Sequence, residues 1–363
     1  MRHFLILLSA VVCAAVSALG ADAPSVTKKP VVKIGVILPL SGDNDHLGQP
    51  LRELIQYKVA HFPKDSRFEY KLYFEDDQLV PRQTLLAAHR LWDLENVDVL
   101  MTFFTGPGSV VAPLAVQKKK VHLMFNFKEE AADATYNFIH VTPMDPIAKL
   151  WTQEAERRGY KKVAFMVHRN AGGEMALKAL EKFKPTSKLE WVNVTRYNQG
   201  EIDFRIALWK IREKNPEILF LYGFEPELPI ILRQMREIGW NIPVTSISVF
   251  ELVYKNPMLE GAWWASFSTP TPAFAAWYDK TFRKDYPLGG AIYSDWVDLV
   301  HKGFEGGRTG KKLTGDEFAE FLRGVKGFDG ASGPISMDVR GIFVTQPTIM
   351  TIKNGKLIPT EGK

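Results

Sequence analysis

Cysteine is almost absent from this sequence, since Cys13 is the only one among 363 residues. It lies within an apolar run at residues 4–19. If that run is removed, the remaining chain carries no thiol, which excludes disulfides, cysteine-ligated metal and thiol chemistry. Val11 and Val12 precede Cys13 and the apolar run continues beyond it, so the sequence also argues against a lipid-modified cysteine.

Long apolar runs are also missing. The run at residues 4–19 is shorter than the roughly 20 residues that a membrane span needs, and no later stretch approaches that length. Arg2 precedes the run, and small residues at 18–21 end it. This order is typical of a secretory leader, so we predict a signal peptide at 1–21, cleaved near Ala21, and a periplasmic protein. The alternative is an uncleaved anchor.

Several catalytic and cofactor motifs do not occur in the sequence. It has no H-E-x-x-H pair, no Walker loop, no G-x-G-x-x-G and no G-x-S-x-G. These absences argue against catalytic zinc, a bound nucleotide and a nucleophilic serine, so we predict no metal, no cofactor and no enzyme activity. The 46 basic and 41 acidic residues are spread along the chain. Without a basic stripe, no nucleic-acid partner is expected.

The sequence does contain an alternation of strand and helix signals that runs twice. The first pass predicts strands at 31–38, 68–74, 97–104 and 121–125. The second predicts strands at 162–167, 189–194, 218–222 and 242–247. Helices fill the gaps, with first-pass starts near Pro50, Pro81 and Ser109, and the last third is helical before a hairpin at Asn354-Gly355. We therefore predict an α/β protein with two Rossmann-like lobes on parallel central sheets.

Two groups of residues lie where such sheets bind ligands, beyond the carboxyl ends of the strands. Gly108 and Ser109 stand at a predicted helix start, whose free N–H groups attract an anion. Phe127, Lys128 and Glu129 follow the fourth strand and offer an apolar wall with charged groups. Each group also has a structural alternative. The first would be a plain capped turn, and the second would be core aromatics followed by the start of a solvated helix.

The remaining titratable side chains are scattered. His46 in the first loop and His168 after a strand are pocket candidates, although an isolated histidine is more often structural. Asp76-Asp77 ends the second strand, where two carboxylates serve either acid–base chemistry or helix capping. If the chain were an enzyme, Asp76, His168 and Glu225 would be the residues to carry the chemistry.

The order of elements resembles the branched-chain amino-acid-binding family of ABC-transporter periplasmic binding proteins. The similarity covers nearly the whole chain and rests on four ordered motifs: VKIGV with PLSG at 32–42, EDDQ with PRQ at 75–83, YGFEPE with LRQMREIG at 222–239, and GPISMD at 333–338. The resemblance implies a type I periplasmic binding fold with a ligand cleft between two lobes. It assigns 31–142 plus 270–338 to the first lobe and 143–269 plus 339–363 to the second. The three hinge crossings would lie near 141–143, 268–270 and 337–341.

The residue patterns and the resemblance together give a set of predicted ligand-binding positions: His46, Leu47, Gly108, Ser109, Phe127, Lys128, Glu129, Asn170, Ala171, Phe224, Glu225 and Ser248. Three departures from the family pattern stand out. The hydroxyl expected at 127–129 is missing, a tyrosine is replaced at Asn170–Ala171, and the carboxylate expected near Ser248 is absent. An α-amino acid would leave its ammonium group unpaired, at a cost of several kcal/mol.

These features predict a solute-binding component of an ABC importer, monomeric, that delivers a small ligand to an inner-membrane permease. The departures favour a ligand with an aromatic or apolar body and one carboxylate. Two other binding roles stay open: a sensor or carrier of the same fold, and a branched-chain amino-acid binder. An enzyme on the same scaffold is the reading with least support.

Overall fold

The computed structural model describes residues 29–267, 270–307 and 310–360. The predicted signal peptide and its cleavage site lie outside these residues. The strands are β1 Val31–Leu38, β2 Glu69–Asp76, β3 Val99–Phe103, β4 Val121–Phe125, β5 Asn137–His140, β6 Lys162–His168, β7 Glu190–Tyr197, β8 Ile218–Tyr222, β9 Val244–Ile247, β10 Trp263–Ser266, β11 Phe328–Gly330, β12 Gly333–Met337, β13 Ile342–Val344, β14 Thr348–Lys353 and β15 Lys356–Thr360.

The α-helices alternate with most of the strands as far as β9, and three of them follow β10 in succession. They are α1 Asp45–Ala60, α2 Pro81–His89, α3 Thr105–Lys118, α4 Met144–Arg157, α5 Ala171–Phe183, α6 Arg205–Arg212, α7 Glu227–Glu237, α8 Pro272–Phe282, α9 Gly290–Gly306 and α10 Gly315–Arg323. The described part of the chain holds no helix with the length and apolar character that crossing a membrane requires.

Two sheets organise the molecule, and the predicted two-lobe α/β fold is confirmed. The first sheet has the strand order β11-β12-β13-β5-β4-β3-β1-β2, and the second has the order β15-β14-β10-β9-β8-β6-β7. Both are parallel at their centres, with antiparallel strands at one edge. The central strands β3, β4 and β8 are buried along their whole length, as expected for parallel strands covered by helices on both faces.

The late helices belong with the first sheet. α9 packs against α1 and β11, and α10 packs against α9 and β4. A capping box is present at the start of α10, where the Thr314 hydroxyl accepts from the Glu317 N–H and the Glu317 carboxylate accepts from the Thr314 N–H.

The chain crosses between the sheets after β5, after β10 and after β13. The first and third crossings touch, because Thr142 and Thr345 share a buried hydroxyl–hydroxyl bond of 2.5 Å. The second includes residues 268–269, which lie outside the described residues. The third crossing expected at 337–341, and with it the lobe boundary at 339, does not fit the strand pairing. There Asp338 accepts from the Arg340 and Ile342 N–H groups, and the chain turns back so that β13 pairs with β5.

Two helix starts also differ from the sequence prediction. α1 begins at Asp45 and carries Pro50 in its second turn. α3 begins at Thr105, so Ser109 lies inside the helix and is not its N-cap. The cause of the second difference is Phe104, whose φ of +72° turns the chain sharply out of β3.

Candidate functional site

A cavity of about 220 Å³, here called the deep cavity, lies between the two lobes. Both lobes contribute to its wall, as does Phe267 just after β10. The lining residues are Phe104, Thr105, Phe127, Met144, Asn170, Gly172, Met175, Tyr222, Phe224, Ile247, Ser248, Val249, Leu252, Phe267 and Leu288. Among the described residues that line it, no side chain is acidic or basic, so the cavity is an apolar chamber with a few neutral polar groups.

The first-lobe wall forms where β3 passes into α3. Phe104 has φ +72° and ψ 162°, a conformation that costs a non-glycine residue about 1–3 kcal/mol and is concentrated at functional sites. It places Thr105 at the helix start, where the Thr105 hydroxyl accepts from the Phe127 N–H at 3.1 Å. Phe127 in turn packs on Phe125 and Phe267, with ring centres 5.2 and 5.5 Å away.

The second-lobe wall forms at the start of α5 and the end of β8. Asn170 caps α5, because its side-chain oxygen accepts from the Gly173 N–H at 2.8 Å. Gly172 leaves room for Tyr222, since a Cβ there would lie 2.6 Å from Tyr222 Oη. The Tyr222 ring meets Phe224 edge to face, with centres 5.9 Å apart.

Three neutral hydroxyls offer hydrogen bonds to a bound molecule. Ser248 Oγ is buried and has no partner among the described residues. Burial raises the pKa of Tyr222 above its ordinary value, which keeps this phenol protonated and able to donate. Thr105 accepts one bond and retains a hydroxyl hydrogen. The N-termini of α3 and α5 add free N–H groups and a partial positive charge from opposite lobes.

A second and larger space, here called the outer groove, adjoins the deep cavity at the cleft mouth. Its volume is about 920 Å³, and it shares Leu252 and Leu288 with the deep cavity. Three of the sequence-predicted residues, His46, Leu47 and Glu225, line this groove and not the deep cavity.

The sequence-predicted ligand-binding residues therefore lie in different parts of the structure. Phe127, Asn170, Phe224 and Ser248 line the deep cavity. The backbone of Ala171 opens α5, and its side chain is outside the described part of the structure.

Four other predicted residues are not brought to the deep cavity. Gly108 is buried, Ser109 Oγ accepts from the Asn126 amide at 3.1 Å, and Lys128 is exposed. Glu129 forms an ion pair with Arg340 on the first lobe.

The remaining titratable candidates have structural partners. Asp76 accepts from the Leu40 N–H at 2.8 Å and from the Ser41 hydroxyl. Asp77 accepts from the Thr84 hydroxyl at 2.7 Å. His168 is buried behind Phe224, at 6.4 Å between ring centres, outside the cavity wall. The described residues contain no cluster of ligating side chains suited to a metal ion.

A model of the family described as "Periplasmic binding protein" matches residues 31–356. The chain belongs to the periplasmic binding protein family. This confirms the relationship inferred from the four sequence motifs. No curated protein gives a significant match to the sequence.

Solved structures of other periplasmic binding proteins share the fold. The leucine binding protein LivK of Thermotoga maritima is 22% identical, with a TM-score of 0.76 over 91% of this chain and 97% of its own. A solute binding protein of an ABC transporter from Rhodopseudomonas palustris, in complex with 3,4-dihydroxy benzoic acid, is 21% identical, with a TM-score of 0.78 over 91% and 96%. LivJ from Streptococcus pneumoniae, in complex with isoleucine, is 20% identical, with a TM-score of 0.77 over 91% and 100%.

Sequence reasoning missed several residues of this binding protein's cavity. Thr105 supplies the first-lobe hydroxyl that was sought at 127–129, and Tyr222 supplies a second-lobe phenol in place of the tyrosine missing at 170–171. Thr105 could have been found, because it directly follows the third apolar strand, and open α/β sheets bind ligands beyond the carboxyl ends of their strands. Met144, Phe267 and Leu288 carry no such local signal, since only the tertiary fold brings them to the cavity.

Glu251 lies between two residues of the cavity wall, Val249 and Leu252. Ser266 Oγ and Trp264 Nε1 both donate to its Oε1 atom, the latter at 3.2 Å. Burial outweighs these bonds and raises the pKa of Glu251 from its ordinary value of 4.5 to about 7. The carboxyl group of Glu251 therefore changes charge close to neutral pH.

We expect Glu251→Gln to alter how stability depends on pH. Between about pH 4.5 and 7 the unfolded wild-type chain has released this proton while the folded chain retains it, so the wild-type free energy of unfolding falls as pH rises. Glutamine does not titrate. Across this pH range the free energy of unfolding of the variant should therefore rise by about 3 kcal/mol relative to that of wild type. Urea unfolding of both proteins at pH 4.5 and at pH 7.5 measures this difference. If their free energies of unfolding change by the same amount between the two pH values, the prediction is wrong.

Proposed function

We propose that this protein is the periplasmic solute-binding component of an ABC importer, and that its ligand is a monocarboxylic acid with an aromatic or apolar body. One observation carries the proposal. The deep cavity combines an apolar wall, no acidic or basic side chain among its described lining residues, and helix N-termini from both lobes.

The carboxylate is accounted for by neutral donors. Thr105 and the first N–H groups of α3 face the cleft from one lobe, and Gly172 and Tyr222 face it from the other. Helix N-termini bind anions without a positively charged side chain. A carboxylate held by both lobes stabilises the closed arrangement over the open one, and a permease can recognise that closed arrangement.

The apolar body is accounted for by the aromatic side chains. Phe104, Phe127 and Phe267 line one part of the cavity, and Phe224 lines another. A ring inserted among them finds the offset and edge-to-face partners that aromatic groups favour. The Rhodopseudomonas palustris protein crystallised with 3,4-dihydroxy benzoic acid supports this class of ligand for the fold.

An α-amino acid fits less well, because its ammonium group lacks a partner. Ser248 stands where the family resemblance leads us to expect a carboxylate, Glu129 is paired with Arg340, and Glu225 lies in the outer groove. A buried charge without a partner costs several kcal/mol. We therefore favour simple acids over leucine, isoleucine or valine. Binding without catalysis, a periplasmic location and a monomeric state remain predictions that accompany this proposal.

A thermal-shift panel tests the proposed ligand class. At concentrations near 100 times Kd, benzoate and 3,4-dihydroxybenzoate should stabilise the protein by about 2.7 kcal/mol, a rise of several degrees in Tm. Benzamide, which has the same shape without the charge, is the matched control and should have a much smaller effect. Strong stabilisation by leucine, isoleucine or valine, with no response to the acids, would overturn the proposal.

A further inference from the structure

We propose that the preferred ligand is longer than a benzoate, and that its apolar far end passes between Leu252 and Leu288 into the outer groove. This inference rests on the proposed function, since it takes the carboxylate to lie in the deep cavity. It adds the ligand's length and its direction, and it gives the outer groove a role in binding.

The direction follows from the residues that the two spaces share. Thr105, Asn170, Tyr222 and Ser248 carry the side-chain hydroxyl and amide groups of the deep cavity, and none of them lines the outer groove. The two spaces share only leucines, Leu252 from the second lobe and Leu288 from the first. A ligand whose carboxylate is held by the deep cavity's polar groups therefore meets apolar side chains where the two spaces adjoin.

Where the two spaces adjoin, an apolar side chain is left partly exposed to water. Leu252 is 37% exposed, although it lies beside a buried cavity. A hydrocarbon chain passing this point would remove Leu252 from water, and burial of apolar surface contributes about 25 cal/mol per Å².

A hydrogen bond between the two lobes lies at the outer groove. Tyr254 on the second lobe donates to the carboxylate of Asp285 on the first lobe at 2.5 Å, and both residues line the groove. This bond bridges the lobes beside the groove. Pro229, Pro257 and Pro287 form further parts of its wall, and their fixed backbone angles give it a defined shape.

The charges of the outer groove favour an apolar tail over a second charged group. Lys284 is paired with Glu53 at 2.7 Å, and Arg233 lies 3.5 Å from Glu237 on its own helix. Asp285 is bound by Tyr254.

Two of the groove's other side chains, Glu225 and Lys255, are exposed and of opposite sign, and His46 is also exposed. They form no single-sign cluster that would select an ion. The groove also has two neutral polar side chains, Asn256 and Tyr286. The apolar residues between them, such as Leu47, Val253 and Met258, provide the contact surface.

A series of acids of increasing length tests this inference. We would measure Kd by isothermal titration calorimetry for benzoate, 4-ethylbenzoate, 4-butylbenzoate and 4-hexylbenzoate, which lengthen the tail and keep the ring next to the carboxylate. Each methylene that leaves water for the groove should lower Kd by about two- to fourfold. Tight binding of benzoate with Kd rising along the series would overturn the inference and leave the proposed function intact. Failure of every acid to bind would instead overturn the proposed function.

Two substitutions locate the tail. Met258→Glu and Pro229→Glu place a carboxylate in the outer groove from two separate segments, both outside the deep cavity. Each should abolish the gain in affinity with length while leaving the Kd for benzoate within about twofold of wild type. Met258→Leu is the conservative control and should retain the gain. Retention of the full gain in both charged variants would show that the tail does not enter the groove.

Discussion

Ser248→Asp is expected to weaken the binding of benzoate by about 100-fold, which corresponds to about 2.7 kcal/mol. Ser248 Oγ is buried in the deep cavity without a partner among the described residues. An aspartate there would place a negative charge in a chamber whose described lining has no basic side chain to balance it. The charge would repel the ligand carboxylate in a medium that screens it poorly.

The matched control for this prediction is Ser248→Asn. Asparagine has the shape of aspartate without the charge, and both residues would take the same backbone conformation at position 248, where φ is +57°. Any backbone strain is common to the two variants, so the comparison of their Kd values by calorimetry isolates the charge. Equal losses in the two variants would mean that size matters and charge does not, and the proposed carboxylate site would lose its main support.

Trp151→Ala is expected to lower the free energy of unfolding by about 3–5 kcal/mol. Trp151 on α4 is 1% exposed and spans four neighbouring strands of the second sheet. Its ring lies 6.0 Å from Phe165 on β6, 5.4 Å from Phe220 on β8 and 6.1 Å from Trp263 on β10. Its Nε1 donates to Thr245 Oγ1 on β9 at 3.0 Å. Removal would leave a large hole under the strands that carry Tyr222 and Ile247.

Trp209→Ala provides the comparison, because Trp209 on α6 is 49% exposed. Its removal should change the free energy of unfolding by no more than about 0.5 kcal/mol. Urea unfolding followed by far-ultraviolet circular dichroism measures both variants without relying on tryptophan fluorescence. Similar values for the two substitutions would show that α4 is not the central support of the second lobe.

Much of the fold could be predicted because its signals are local. Buried parallel strands read as apolar runs, and Thr314 with Glu317 marks a helix start by chemistry that needs no distant partner. The start of α3 could not be predicted in the same way, because Phe104 adopts a backbone conformation that its residue type rarely takes. The third crossing was misplaced because pairing of β13 with β5 is a contact between residues some 200 positions apart.

The candidate site was predictable where the fold alone decides which loops meet. Phe127, Phe224 and Ser248 follow strand ends of two sheets and line the same cavity. Lys128 and Glu129 also follow a strand end, but the direction of a loop side chain depends on its neighbours. Arg340, which holds Glu129, is far away in sequence. The outer groove could not be predicted as a separate space, although His46, Leu47 and Glu225 were predicted to bind ligand, because its walls come from segments of both lobes with no shared motif.

The most direct test of the account is a crystal structure of the protein with 4-bromobenzoate, located by the anomalous signal of bromine. We predict one molecule in the deep cavity. Its carboxylate should lie within hydrogen-bonding distance of Thr105, with the ring among Phe127, Phe224 and Phe267 and the bromine pointing toward Leu252 and Leu288. A bromine peak outside the cleft, or a carboxylate placed at the outer groove, would contradict the account.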